Sequence, residues 1–456
     1  MSRLFGRAAG VAGGLGLVLL ALPGAASAHA LSKTFQSRLP LVVYLAGAAG
    51  AVALSFLFVL VRDLRSEAPP ADGRQVRVPG VVRNGLRAIG LLALAWIVAQ
   101  GIVGGDSDAE VSRLFAWVYG WVGVALVSAF VFPIWTWLNP FATLHDLGAR
   151  AMKAAGIGGI AAAEYPAALG RWPAAIGFGA VVWLELVASG AGSRTLAIVI
   201  TGYTVFSLAM MAQYGRRAWL EHGEIFSVWF GLIGRLAPLA AIPGDERTVR
   251  RRDFGTGLLE RGWAVSDIVI IGLGAGSVLF DGLSQTQVWV DAFGLPGALP
   301  QTLILATFMG LIVGAALVVA RLVGVPATAA GLLPIAIGYL FAHYFAWLLV
   351  DGQRIVIAIS DPLQQGANYL GTAFFETTAD FLPPGLVWTL QLAAVVGGHM
   401  IGAWAGHVVA ASQAGREGIL AARAIRLRQV PLAVVMVGLT TLTLWSLGQA
   451  LFIATS

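Results

Sequence analysis

The chain has 456 residues, of which 58% are hydrophobic and only 11% charged, with no cysteine and a formal net charge of +6. Soluble chains carry about a quarter charged residues, so this balance argues for a membrane protein. Without cysteine there are no disulfides, thiol chemistry or Cys-ligated metal centres, so any metal must be held by His, Asp, Glu or the amino terminus. The basic excess fits loops that face anionic lipid, and nucleic acid is not an expected partner.

In chain order, Arg3 and Arg7 precede an apolar run at residues 11–22 and the small-x-small motif Ala26-Ser27-Ala28, the pattern of an export signal over residues 1–28. Cleavage there makes His29 the first mature residue. Cleavage after Ala30 would remove it, and an uncleaved signal would form an extra span. Apolar stretches of spanning length follow at residues 40–61, 86–103, 115–137, 172–189, 195–213, 264–280, 301–323, 327–350, 385–411 and 430–452. About 20 apolar residues cross a hydrocarbon core of about 30 Å.

Alternating sides from an exported N-terminus leaves only Lys33, Arg38, Arg113, Arg194 and Arg354 in outer segments. Apart from Arg3 and Arg7 in the signal, every other Lys and Arg falls inside. The positive-inside rule supports that arrangement. The sequence therefore predicts an all-α polytopic helix bundle of about ten spans in the inner (plasma) membrane. It forms one domain over residues 29–456, with both mature termini outside.

Residues 62–85 read as an inner loop, and the Ala/Gly-rich stretch 149–168 as a surface helix with a flexible turn. Residues 225–242 are apolar but contain Arg235 and Pro238. A span there would turn the basic loop 247–261 outward, so a re-entrant or interfacial helix is predicted. Two outer loops follow, 281–300 and 351–384. The second is long and aromatic and reads as a lid.

Ionisable groups inside spans cost about 2.5–3.5 kcal/mol each on insertion scales, which makes each a functional candidate. His343 lies roughly 10 Å below the outer end of its span at 1.5 Å per residue. Asp351 follows at the outer mouth, Glu185 near the outer end of the fourth span, and Asp281 in FDGLSQTQVW at the end of the sixth. Together these four form a predicted outer site, of the right types for acid–base work on water or for a divalent metal. The plainer alternative is a histidine bonded to a neighbouring helix and carboxylates sitting in water.

His399 and His407 share the segment GGHMIGAWAGH, but eight residues separate them by about 80° of helix rotation. His399, near mid-membrane, is a candidate haem ligand or proton-relay member, or an inter-helix hydrogen bond. His29 could chelate copper through its amine and ring nitrogens, so His29, His343 and His399 are the candidate metal ligands. His145 and His222 read as solvated. No phosphate-binding loop, dinucleotide fingerprint, nucleophile elbow or HExxH motif occurs.

The segments LNPFATL, YGRRAWLEHGEIFSVWFGLIGRLAPL, SVLFDGLSQTQVW, IGYLFAHYFAWLLVDGQ, SDPLQQGANYLGTA and VVGGHMIGAWAGH resemble the polytopic bacterial membrane proteins known as fenitrothion hydrolase. The resemblance covers nearly the whole mature chain, and AHYF and FDGLS are its most specific parts. It implies hydrolysis of the aryl ester of an organophosphorothioate but carries no catalytic residues with it. From the residues alone, a transporter for a small apolar molecule or ion, and a copper- or haem-linked membrane protein, stand beside it.

Overall fold

The computed structural model describes residues 73–105, 111–158, 162–188, 192–416 and 429–449, together with Gly50 and Leu427. The signal, His29 and, apart from Gly50, the stretch 40–61 lie outside the described residues. The long helices are α1 (Gly80–Val103), α2 (Val111–Phe130), α3 (Pro140–Ala154), α4 (Trp172–Leu186) and α5 (Ser193–Tyr214). Short helices α6 (Arg216–His222) and α7 (Ile225–Ile233) lead to α8 (Val265–Ser284), α9 (Gln287–Phe293) and α10 (Ala298–Val323). The chain ends in α11 (Val325–Asp351), α12 (Ile355–Ser360), α13 (Pro384–Arg416) and α14 (Val430–Leu447). Among the described residues eight helices, α1, α2, α5, α8, α10, α11, α13 and α14, are long and apolar enough to cross a membrane. This is an all-α polytopic bundle.

Several expected boundaries move. The predicted span 115–137 begins at Val111 and stops at Phe130, because Pro133 cannot continue a helix, and Trp135–Leu138 forms a separate turn. Ten residues of α2, Leu114–Gly123, are π-helical. The predicted span 172–189 is α4, whose 15 residues reach only about 22 Å at 1.5 Å per residue. Asp281 does not open a loop but lies inside α8, which runs on to Ser284. Residues 225–242 divide into α7 and a strand. Nine helical residues, about 14 Å, cannot span. Before them α6 folds back along α5, with Trp219 Nε1 donating to Ser207 Oγ at 3.0 Å.

The segment predicted to be a loop at 62–85 contains β1 (Gln75–Arg77), which joins β2 (Leu239–Ile242) and β3 (Asp245–Arg251) in an antiparallel sheet of order β1-β3-β2. Val76 pairs with Val249, and Val249 is buried against Phe132 and Trp137 at one end of the bundle. Beside the sheet, Arg87, Asp146, Arg216 and Glu246 close an alternating ring of ion pairs. Its N–O distances are 3.2 Å (Arg87–Asp146), 2.6 Å (Arg87–Glu246), 3.0 Å (Arg216–Asp146) and 2.7 Å (Arg216–Glu246). The ring ties α1, α3, α6 and β3 together. Nearby, Arg235 lies 3.8 Å over the Trp263 ring, and burial pulls its guanidinium down to about 10, so it stays cationic at neutral pH. At the opposite end lies the segment 351–384 expected to be a lid, pinned by Trp96 Nε1 to Pro362 O (2.7 Å) and Gln100 Nε2 to Gln364 Oε1 (2.7 Å).

α10 turns into α11 at Gly324, whose φ of +106° is closed to most side chains. α11 then packs against α13 along a seam of small residues. A side chain on Gly338, Gly398 or Gly402 would run into the backbone carbonyl of Ala394, Pro334 or Gly331, respectively. Small residues let helices meet backbone to backbone where lipid gives no hydrophobic drive. Gly398→Leu is therefore expected to destabilise the protein by about 1–3 kcal/mol, the usual result of overpacking. An unchanged thermal unfolding midpoint in detergent would contradict the close seam.

Candidate functional site

Four helices converge near the lid end. α8 supplies Asp281, α11 supplies Tyr339, His343 and Tyr344, α4 supplies Glu185 and α14 supplies Ser446. Asp281 Oδ2 accepts from His343 Nε2 at 3.0 Å and from Tyr344 Oη at 2.8 Å, while Oδ1 accepts from Gln285 Nε2 at 2.8 Å. A carboxylate only accepts, so this geometry puts a hydrogen on His343 Nε2 and leaves Nδ1 as the basic nitrogen. The side chains of His343 and Asp281 are 14% and 15% exposed, which keeps the pair within reach of a small molecule.

Glu185 is buried. It lies near Tyr344 and Asp281, and its Oε2 has no hydrogen-bond partner among the described residues. Gly282 follows Asp281 and faces the same polar groups. A Cβ there would lie 2.9 Å from Ser446 Oγ, 3.3 Å from Tyr339 Oη and 3.4 Å from His343 Cε1. Tyr339 Oη sits beside Ser446 without reaching hydrogen-bonding geometry, so two buried hydroxyls border the histidine.

Asp351 does not join this cluster. It stands two turns beyond His343, about 12 Å along α11 at 1.5 Å per residue, and pairs with Arg354 Nε at 3.1 Å. Asp351→Ala is expected to leave turnover unchanged and to cost no more than about 1 kcal/mol of stability, as for other partly exposed pairs. A large loss of turnover without unfolding would place Asp351 back in the site.

Nor do the described histidines assemble a metal centre. His399 is fully buried on α13, with Nδ1 at 3.1 Å from Thr440 Oγ1 of α14, and His407 Nδ1 lies 2.9 Å from Gln429 Oε1. Both serve inter-helix hydrogen bonding. Among the described residues no group of three or more His, Asp or Glu side chains could hold a metal ion. His29 lies outside them. His222, expected to be solvated, stacks on Tyr165 at 5.2 Å between ring centroids.

Sequence reasoning missed two features. Tyr344 is adjacent to His343 in AHYF, and Tyr339 lies one helical turn before it, so a hydroxyl pair beside an intramembrane histidine was a usable signal. The second is Glu224, fully buried at the start of α7. Its Oε1 accepts from Tyr203 Oη (2.8 Å) and Phe226 N (3.1 Å). Its Oε2 accepts from Ser227 N (2.8 Å), Ser227 Oγ (2.6 Å), Asn139 Nδ2 (3.0 Å) and Trp135 Nε1 (3.1 Å). The partners come from α5, α7 and the turns before α3, so Glu224 is a structural rivet with its lone pairs already used.

The chain matches no family model, no curated protein and no solved structure.

Proposed function

We propose that this multi-pass protein resides in the bacterial inner membrane with its lid end outside, and that it hydrolyses organophosphorothioate aryl esters at the Asp281–His343 pair. The sidedness is supported by the charges. Arg74, Arg77, Arg83, Arg87, Arg216 and Arg247 cluster at the sheet end, against Arg113, Arg194 and Arg354 at the other. The observation that carries the chemistry is the hydrogen bond from His343 Nε2 to Asp281, a base held by an orienting carboxylate.

In this reading His343 Nδ1 takes a proton from water as the water oxygen bonds to phosphorus. The phosphorus–aryloxy bond breaks, and the aryl alcohol leaves with the proton returned by Nδ1. Positioned base catalysis of this kind contributes about 10²–10⁴-fold. An apolar ester can reach the site through the lipid.

A second reading, a proton-coupled carrier, is favoured by Glu185, whose buried and partly unpartnered carboxyl group faces a second carboxylate. Purified protein in lipid nanodiscs, given an aryl phosphorothioate triester, is expected to release the aryl alcohol. No release above a heat-inactivated control, with uptake driven by a pH gradient in vesicles, would select the carrier.

A further inference from the structure

The segment between α11 and α13 lies deeper than a loop resting on top of the bundle would. α1 and α2 are joined by a connection that carries Asp106, Asp108 and Glu110, so Val103 and Val111 mark the water boundary at this end. Trp96 stands seven residues before the end of α1, about 10 Å below it at 1.5 Å per residue, and its Nε1 donates to Pro362 O at 2.7 Å. From there the chain climbs along α1. Gln100 Nε2 donates to Gln364 Oε1 at 2.7 Å, and Gln365 Nε2 donates to Val103 O at 2.6 Å. Residues 362–365 thus rise from within the bundle to the end of α1, and α12 before them belongs to a re-entrant path.

The next residues fold back against α12 and do not leave for water. Tyr369 N donates to Ser360 O (3.0 Å), Leu370 N to Ser360 Oγ (3.1 Å) and Thr372 Oγ1 to Val356 O (2.7 Å). Ala373 N donates to Asn368 Oδ1 (3.0 Å), while Gln365 N and Gly366 N donate to the Asp361 carboxylate (3.0 and 2.8 Å). Irregular backbone away from water needs internal partners of this kind. The braced turn nevertheless leaves Tyr369, Leu370 and Phe374 exposed, Phe374 at 89%. Residues 362–375 contain no Asp, Glu, Lys or Arg. Through the Gln365–Val103 bond this uncharged surface continues into Ile102 and Val103, which are exposed at the end of the spanning helix α1.

We propose that residues 355–375 are a re-entrant flap seated in the leaflet at this end of the bundle, with Tyr369, Leu370 and Phe374 in contact with lipid. The bilayer itself covers the exposed surface. Depth, internally paired backbone, missing charge and continuity with the outward face of α1 all belong to a lipid-facing element, whereas a lid lying in water requires none of them. Tyrosine suits the headgroup boundary with its polar tip, and the phenyl and leucine side chains suit the acyl region. Hydrolysis at Asp281–His343 is not required for this placement, and it holds whichever side of the membrane this end faces.

The chain has no cysteine, so a single introduced one can carry a nitroxide label without background. Phe374→Cys, labelled in the full-length protein in lipid nanodiscs, is expected to collide more often with oxygen, which concentrates in lipid, than with a water-soluble nickel chelate. Lys153→Cys, at an exposed position of α3, is expected to give the opposite order. Nickel collisions that outnumber oxygen collisions at position 374 would put the flap in water and overturn the proposal. Few collisions with either would mean that protein, a partner or a second copy, covers the turn, and would overturn it equally. Leu370→Cys, read in the same way, decides should Phe374→Cys misfold. No turnover enters this measurement, so a protein without hydrolytic activity can still show the lipid-seated flap, and an active one can still lack it.

Discussion

Glu224→Ala is expected to be among the most destabilising single substitutions in the chain. The carboxylate is 0% exposed and accepts from two backbone amides and from the side chains of Tyr203, Ser227, Asn139 and Trp135. A hydrogen bond to a charged group is worth about 1.5–3 kcal/mol, and a buried donor left unmatched costs about 1–3 kcal/mol. Even with relaxation, the loss should reach at least about 3 kcal/mol, since several donors are orphaned together. Glu224→Gln keeps one acceptor oxygen but turns an N–H group toward donors, so it should fall between the two. Thermal unfolding in detergent, followed by tryptophan fluorescence to which Trp135 contributes, measures the effect. A midpoint within about 2 °C of wild type would contradict it, since 1 kcal/mol moves a chain of moderate size by about 2–4 °C.

Asp281→Asn should do the opposite, sparing the fold and removing activity. Asparagine matches the shape, and with its oxygen accepting from Gln285 its amide nitrogen takes the place of Oδ2, facing both His343 and Tyr344. That N–H face favours the His343 tautomer with hydrogen on Nδ1, and that nitrogen is then no longer a base. Hydrolysis should drop by about 10²–10⁴-fold, the range for a lost general base. Elution on size exclusion should not change. A rate within about threefold of wild type would mean that Asp281 does not set the state of His343.

Much of this architecture was legible because long apolar runs have one stable solution in lipid. α1, α10 and α11 fall close to where hydropathy places them. The sheet was not legible, because Gln75–Arg77 and Asp245–Arg251 are short, charged and far apart in sequence. Their strand character comes from pairing with each other and not from a local period. The π-helical part of α2 leaves no hydropathy trace either.

In the site, a buried histidine demands a partner, and that demand pointed to an acid among Glu185, Asp281 and Asp351, of which Asp281 is the one bonded to it. Asp351 was misplaced because nearness in sequence was read as nearness in space. Eight residues of helix carry a side chain two turns on and about 80° around. Tyr344 and Glu224 were missed because tyrosine is unremarkable in an apolar span and glutamate in a basic loop. Only the tertiary contacts give either of them its role.

The central claim is that the partly exposed His343, and not the fully buried His399, is the reacting base. Aryl alcohol release from a phosphorothioate triester should therefore be measured for His343→Ala and His399→Ala in the same nanodiscs, at matched protein amounts. The account predicts that His343→Ala folds but is inactive, whereas His399→Ala, which removes the bond to Thr440 on the neighbouring helix, still turns over. Wild-type rates from His343→Ala, with activity lost in His399→Ala, would contradict it.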